Sequence, residues 1–219
     1  LFVNIVSTQA QSYLDYYFKS NNINGAIVIY NQNKDEWLFS SEVEPFTNTP
    51  AASHFHLWQA LVGLEENVFK IDVKEKFLWD GVKRSSFEGR RTEWNNDTNL
   101  IDALKYDTDW YFDQLQNRLP HAIYTNNIKK SLFFKETKNN ELPYFWNYAA
   151  FTNPNSMILF LKDLYEGKLS FNKKSQQFLF NQLLKDQKLA LRTATTSYLG
   201  KRIEWTVGVY LKQDKPIYF

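Results

Sequence analysis

Cysteine is absent from this chain of 219 residues, which excludes a disulfide framework and a thiolate metal site but does not identify the compartment. A dominant charge sign is missing too. The net charge is +2, with acids and bases mixed along the chain, so neither a nucleic-acid footprint nor a basic membrane-surface patch stands out. Lys129-Lys130 and Lys173-Lys174 are short pairs that read as solvated faces. No stretch approaches the roughly 18 uninterrupted apolar residues that a membrane span needs. Internal repeats, low-complexity tracts and linkers are likewise missing. What the chain does hold is core material: 43% hydrophobic and 17% aromatic residues, ample for one globular domain of this length.

The pattern along the chain predicts an α+β domain. Ser12 to Lys19 reads as an amphipathic helix with Tyr13, Leu14, Tyr17 and Phe18 turned inward. Gly25 to Tyr30 and Glu36 to Phe39 read as strands joined by a polar turn. Helices follow around Ser53 and over Leu100–Tyr106, Asp109–Leu115, Asn126–Phe133, Asn155–Tyr165 and Lys174–Leu184. Strands return at Leu189–Thr195, Ile203–Leu211 and Ile217–Phe219. Strands first and last with helices between place the terminal segments in one antiparallel sheet. The loop from Asp80 to Asn96, with two glycines and several charges, is expected to be exposed. Leu1 to Gln11 resembles the tail of a secretory signal peptide, with small residues at Thr8 and Ala10 before a cleavage point. On that reading residues 1–10 are a signal remnant, residues 11–219 are the domain and the protein is exported; the alternative is an ordinary first strand or helix lead-in.

The segment Pro50 to Glu65 carries the chemistry. Leu57, Ala60, Leu61 and Leu64 recur at helical spacing, Ser53 stands where an N-cap would, and His56 follows one turn on. A serine hydroxyl needs a base within hydrogen-bond reach to become a nucleophile, and His56 is the candidate base. The alternative is a capping serine followed by two incidental histidines.

Three stretches together resemble the class D β-lactamases and the ligand-binding domains of membrane-bound β-lactam sensors. They are Pro50 to Glu65, Phe77-Leu78-Trp79-Asp80-Gly81-Val82-Lys83-Arg84, and Glu93 to Tyr106 with its Trp94-Asn95 pair. The likeness continues weakly through Phe145-Trp146 and Glu204 to Gly208. It implies the β-lactamase/transpeptidase-like fold, with the terminal segments forming the sheet and a helical middle. Relatives continue past the strand near Phe219 into a closing helix, so a single domain lacking that helix is expected.

The resemblance assigns the site residue by residue. Ser53 matches the family's nucleophile, and His56 stands where a lysine is carbamylated to act as base. An imidazole forms no such stable carbamate, yet a neutral histidine still suits base chemistry near pH 7, and a helix N-terminus favours the neutral form. Asp107-Thr108-Asp109 aligns with the second motif, Asp107 replacing a serine. Asp107 then either orients His56 in a rebuilt Ser53-His56-Asp107 triad, or Asp107 or Asp109 caps the helix beginning near Trp110. His54, His56 and Asp107 as metal ligands are disfavoured because neighbouring helical positions diverge. The third motif falls on Phe134-Lys135-Glu136 and does not match; Tyr124-Thr125-Asn126 only resembles it in spelling, Thr125 reading as the cap of the next helix. Trp146 matches a tryptophan that shields the base in relatives, or is a core aromatic. Arg192-Thr193-Ala194 aligns with the fourth motif, and Thr195 would lend its backbone N–H to an oxyanion hole with that of Ser53.

All four motifs thus depart from the family pattern. The expectation is a divergent member with a degenerate site, binding a peptidoglycan-like or β-lactam-like small molecule, located in the periplasm or outside the cell, with little or no β-lactam hydrolysis. No cofactor, metal, nucleic acid or membrane span is expected. The alternatives are a serine acyl hydrolase using the triad, and a non-catalytic interaction protein with a vestigial pocket.

Overall fold

A computed structural model describes residues 4–5, 8–40, 46–85, 92–129, 150–212 and 215–219. Its frame is a six-stranded sheet of β1 (Asn4–Ile5), β2 (Val28–Asn31), β3 (Glu36–Phe39), β6 (Leu189–Tyr198), β7 (Lys201–Lys212) and β8 (Lys215–Tyr218), in the order β1-β3-β2-β8-β7-β6. All neighbours run antiparallel except β1, which lies parallel to β3. The sheet thus joins both ends of the chain, as the α+β reading expects. A two-stranded ribbon, β4 (Thr49–Pro50) with β5 (Phe151–Thr152), stands apart.

The helices are α1 (Thr8–Ser20), α2 (Phe55–Glu65), α3 (Leu100–Tyr106), α4 (Asp109–Phe112), α5 (Gln114–Arg118), α6 (His121–Lys129), α7 (Pro154–Glu166) and α8 (Lys173–Leu183). The expected single stripe on α2 is too narrow: Phe55 through Gly63 are all buried. A helix buried on every side belongs in the middle of a core, and α2 is that central helix. Gly63 lets Phe69 lie against it, since a Cβ there would stand 2.1 Å from the ring.

Local signals explain most boundaries. Asn99, Asn153 and Asn172 each cap a helix by accepting a backbone N–H, and Pro154 opens α7 in the first turn. Three expectations fail. On α1, Tyr13 and Tyr17 are exposed rather than inward, because the helix lies outside the sheet and offers several aromatics to a narrow contact. Helix α6 starts at His121, five residues before the expected start, with Ile123 N–H donating to the Pro120 carbonyl at 3.0 Å. Thr125 is therefore inside the helix and is not a cap. The segment from Asp80 to Asn96 is not uniformly exposed either: Trp94 is buried, and Asn95 Oδ1 accepts the Arg84 N–H at 2.9 Å. Phe134-Lys135-Glu136 and Trp146 lie outside the described residues.

Candidate active site

Ser53 is not an N-cap. It occupies the middle of a 3-10 turn, Ala52–His54, that runs directly into α2. The turn is held from outside: Ala51 N–H donates to the Ala150 carbonyl at 2.7 Å, and the Trp205 indole N–H donates to the Pro50 carbonyl at 2.8 Å. Ala52 has φ of 51°, a left-handed conformation that costs an L-residue roughly 1–2 kcal/mol. The surrounding contacts hold that strain immediately before the serine.

The α3–α4 junction delivers the carboxylates. Asp107 ends α3 in the left-handed conformation, its N–H donating to the Ala103 carbonyl, as a C-terminal cap does. The cap residue of α4 is Thr108, and Asp109 is the first helical residue, so neither aspartate is the N-cap expected for that helix. Two indoles pin the junction. Trp94 donates to the Tyr106 carbonyl and Trp110 to the Trp94 carbonyl, both at 2.7 Å.

His56 projects from α2 between the two carboxylates and stacks on Phe112 at 4.1 Å. Its Nε2 is 3.1 Å from Asp109 Oδ1, whereas its Nδ1 is 3.8 Å from Asp107 Oδ1. The latter is too long for a hydrogen bond, so Asp109 rather than Asp107 is the carboxylate at bonding distance. Among the described residues no hydrogen bond joins His56 to the Ser53 hydroxyl. Burial would lower the pKa of His56, but the two aspartates outweigh it and raise it. The imidazolium is thereby favoured, against the expectation of a neutral ring. Its neighbour His54 has the opposite fate: complete burial, reinforced by Arg192, lowers its pKa to about 3.

Arg192 reaches in from β6 and pairs with Asp107. Its guanidinium also donates to the Leu104 carbonyl at 2.9 Å and to the Ser53 carbonyl at 3.1 Å. For Asp107, burial opposes ionisation, but Arg192, His56 and the Ser53 hydroxyl together hold its pKa at about 2. Arg192 is thus a committed structural cation rather than a free anion anchor.

Backbone geometry on β6 is undisturbed. Gly208 exchanges both backbone hydrogen bonds with Phe219, so its odd-numbered neighbours on β7 face β6 and bond its even-numbered residues. Thr193 and Thr195 therefore direct their N–H groups off the open edge, beside the Ser53 turn.

The structure brings together Ser53, His56, Asp107 and Arg192, with Thr195 on the adjacent edge. Asp109 is the partner of His56 that the sequence reading weighed only as a cap; the signal available was its position two residues after Asp107 at the start of a helix. Among the described residues no group of three or more His, Cys, Asp or Glu side chains is placed to hold a metal ion.

No family model matches the chain. It is 24% identical over 208 residues to β-lactamase OXA-48 of Klebsiella pneumoniae, covering 93% of this chain and 76% of that protein. A class D β-lactamase from Sebaldella termitidis superposes with a TM-score of 0.83 at 26% identity, over 99% of this chain and 86% of that one. The chain is a divergent relative of the class D β-lactamases. The same fold occurs in sensor proteins: the C-terminal domain of the Bacillus licheniformis BlaR penicillin-receptor superposes with a TM-score of 0.80 at 20% identity, over 99% and 85% of the two chains. The methicillin resistance mecR1 protein of Staphylococcus aureus is 25% identical over 98% of this chain, which spans 36% of that longer protein. Among the described residues no helix is long and apolar enough to cross a membrane.

Proposed function

We propose that this domain binds a β-lactam-like or peptidoglycan-like acyl ligand beside Ser53 and turns it over little or not at all, a pseudoenzyme acting outside the cytoplasm. The observation that carries the reading is the placement of His56: its ring nitrogens lie 3.1 and 3.8 Å from carboxylates, and among the described residues neither is hydrogen-bonded to the serine hydroxyl. A general base must reach the proton it removes, and an imidazolium accepts none. Asp107, with its pKa at about 2, is a poor substitute. The open edge of β6 at Thr195 supports retained binding, because backbone donors survive side-chain change. Relatives named as β-lactamases and as a penicillin-receptor supply the ligand class.

A second reading, a serine acyl hydrolase using Ser53, His56 and Asp107, is favoured by one observation: the Ser53 hydroxyl and His56 both act on the Asp107 carboxylate. Incubation with a fluorescent penicillin and a panel of small esters, followed by intact mass and thermal shift, separates the readings. Ligand-dependent stabilisation with no product, with or without a persistent Ser53 adduct, supports binding. Multiple turnovers lost in Ser53→Ala support the hydrolase. No shift and no adduct refute both and leave a vestigial pocket.

A further inference from the structure

His54 closes the 3-10 turn that carries Ser53 and is 0% exposed. Neither of its ring nitrogens has a hydrogen-bond partner among the described residues. The ring packs edge-on against the Trp205 indole at 6.1 Å. A neutral imidazole is tolerated in such a place. Its protonated form would carry two unsatisfied N–H donors and a desolvated charge.

The charged neighbours do not offset that cost. Arg192 on β6 and His56 on α2 both oppose a further positive charge at His54, and Asp107, at the α3–α4 junction, favours one. Asp107 is already paired with Arg192. On the acid side of neutrality these three groups keep their charge. An arginine stays a guanidinium, the two carboxylates hold His56 as an imidazolium below pH 6.5, and Asp107 takes up its proton at about 2. His54 is thus the group beside the turn whose charge is left to change.

The turn also holds strain that opening would release. Ala52 carries a left-handed φ of 51°. Three hydrogen bonds fasten the segment around it, to the Ala150 carbonyl and from the Trp205 indole and the Arg192 guanidinium.

We propose that His54 is an acid-sensitive latch on the Ser53 turn: neutral, it stays packed beneath the turn; protonated, it leaves the interior and the turn opens with it. The closed turn lowers the pKa of His54 from 6.5 to about 3. The closed form therefore loses stability as pH falls below 6.5, and the loss is complete near 3. Between those limits the opening constant rises about tenfold per pH unit. Acid thus loosens the ground beneath Ser53 whatever ligand the site takes, while the rest of the domain stays folded.

Nuclear magnetic resonance and native-state hydrogen exchange test the latch. The chain holds three histidines, so single substitutions assign the His54 ring signals. In the folded protein that ring should stay neutral down to pH 5; titration near 6.5 overturns the proposal. The amides of Ala51 and His54 donate to the Ala150 and Ala51 carbonyls at 2.7 and 3.2 Å. Their opening constants, corrected for intrinsic exchange, should rise about tenfold per pH unit from 6.5 to 4. They should also exceed that of Leu161, buried on α7. Equal constants would mean that the turn opens only with the whole fold, which overturns the latch. His54→Phe, whose ring cannot ionise, should flatten the profile at the two turn amides; a slope that persists overturns the assignment to His54. Wild-type turn amides with no slope between pH 6.5 and 4 overturn the proposal whether or not that variant folds.

Discussion

Asp107→Asn removes the charge that balances Arg192 while keeping the shape of the side chain. The Arg192 side chain is 9% exposed and that of Asp107 24%, so the pair is largely withdrawn from water. Removing one partner of a buried pair costs about 3–5 kcal/mol, mostly because the survivor stays charged and desolvated. The asparagine carbonyl and the Leu104 and Ser53 carbonyls still accept from the guanidinium, which places the expected loss near the lower end, about 3 kcal/mol. A pH signature accompanies it. Asp107 has its pKa lowered from 3.8 to about 2 in the folded protein, so it contributes stability that is present above pH 3.8 and lost as pH falls through about 2. That contribution amounts to about 2 kcal/mol. Urea unfolding followed by tryptophan fluorescence should show the wild type weakening across this window, with Asp107→Asn starting lower and weakening less. Asp107→Leu/Arg192→Met should recover most of the loss, since replacing both members of a buried pair with apolar groups is often neutral. A cost under about 0.5 kcal/mol for Asp107→Asn, or a double variant whose cost equals the sum of its singles, would refute the coupling.

Nitrocefin turnover should be negligible and indifferent to bicarbonate, because no lysine stands at position 56 to be carbamylated; robust turnover abolished in Ser53→Ala would overturn this. His56→Lys alone should not restore activity, since cooperating groups recover little when one is repaired; a single substitution giving rapid turnover in the nitrocefin assay would mean the other motifs are misplaced. Any fluorophosphonate labelling of Ser53 should rise with pH above the ordinary histidine value of 6.5, because the carboxylates keep His56 protonated beyond it. Asp109→Asn removes one of those carboxylates and should shift that rise to lower pH; an unmoved profile would take Asp109 out of the arrangement.

The elements were legible wherever a local signal closed them. The strand Glu36–Phe39 and the helix Leu100–Tyr106 have the boundaries that the pattern gives, because a polar turn before the strand and a capping asparagine before the helix act within a few residues. The inward face of α1 was not legible, since nothing in its own sequence says how much of the helix the sheet can cover. At the site, the alignment of motifs brought Ser53, His56, Asp107 and Arg192 together, but their partners were hidden. Which of two aspartates lies nearer His56 depends on Asp107 adopting a left-handed cap and on two tryptophans holding the following turn. Those contacts join residues far apart in sequence.

The charged groups around Ser53 are coupled to one another. Arg192 brings a cation beside Ser53, and Asp107 supplies the anion that allows it to be buried there. His56, between Asp107 and Asp109, is drawn to its charged form by both. Removing the Asp107 carboxylate alone would leave Arg192 an uncompensated buried cation. A serine restored at position 107 would strand Arg192; a lysine at position 56 would still face Asp109 and remain an ammonium. The same network around the Ser53 turn therefore keeps Asp107 a weakly basic carboxylate and favours the imidazolium of His56, and both are poor acceptors for the serine proton.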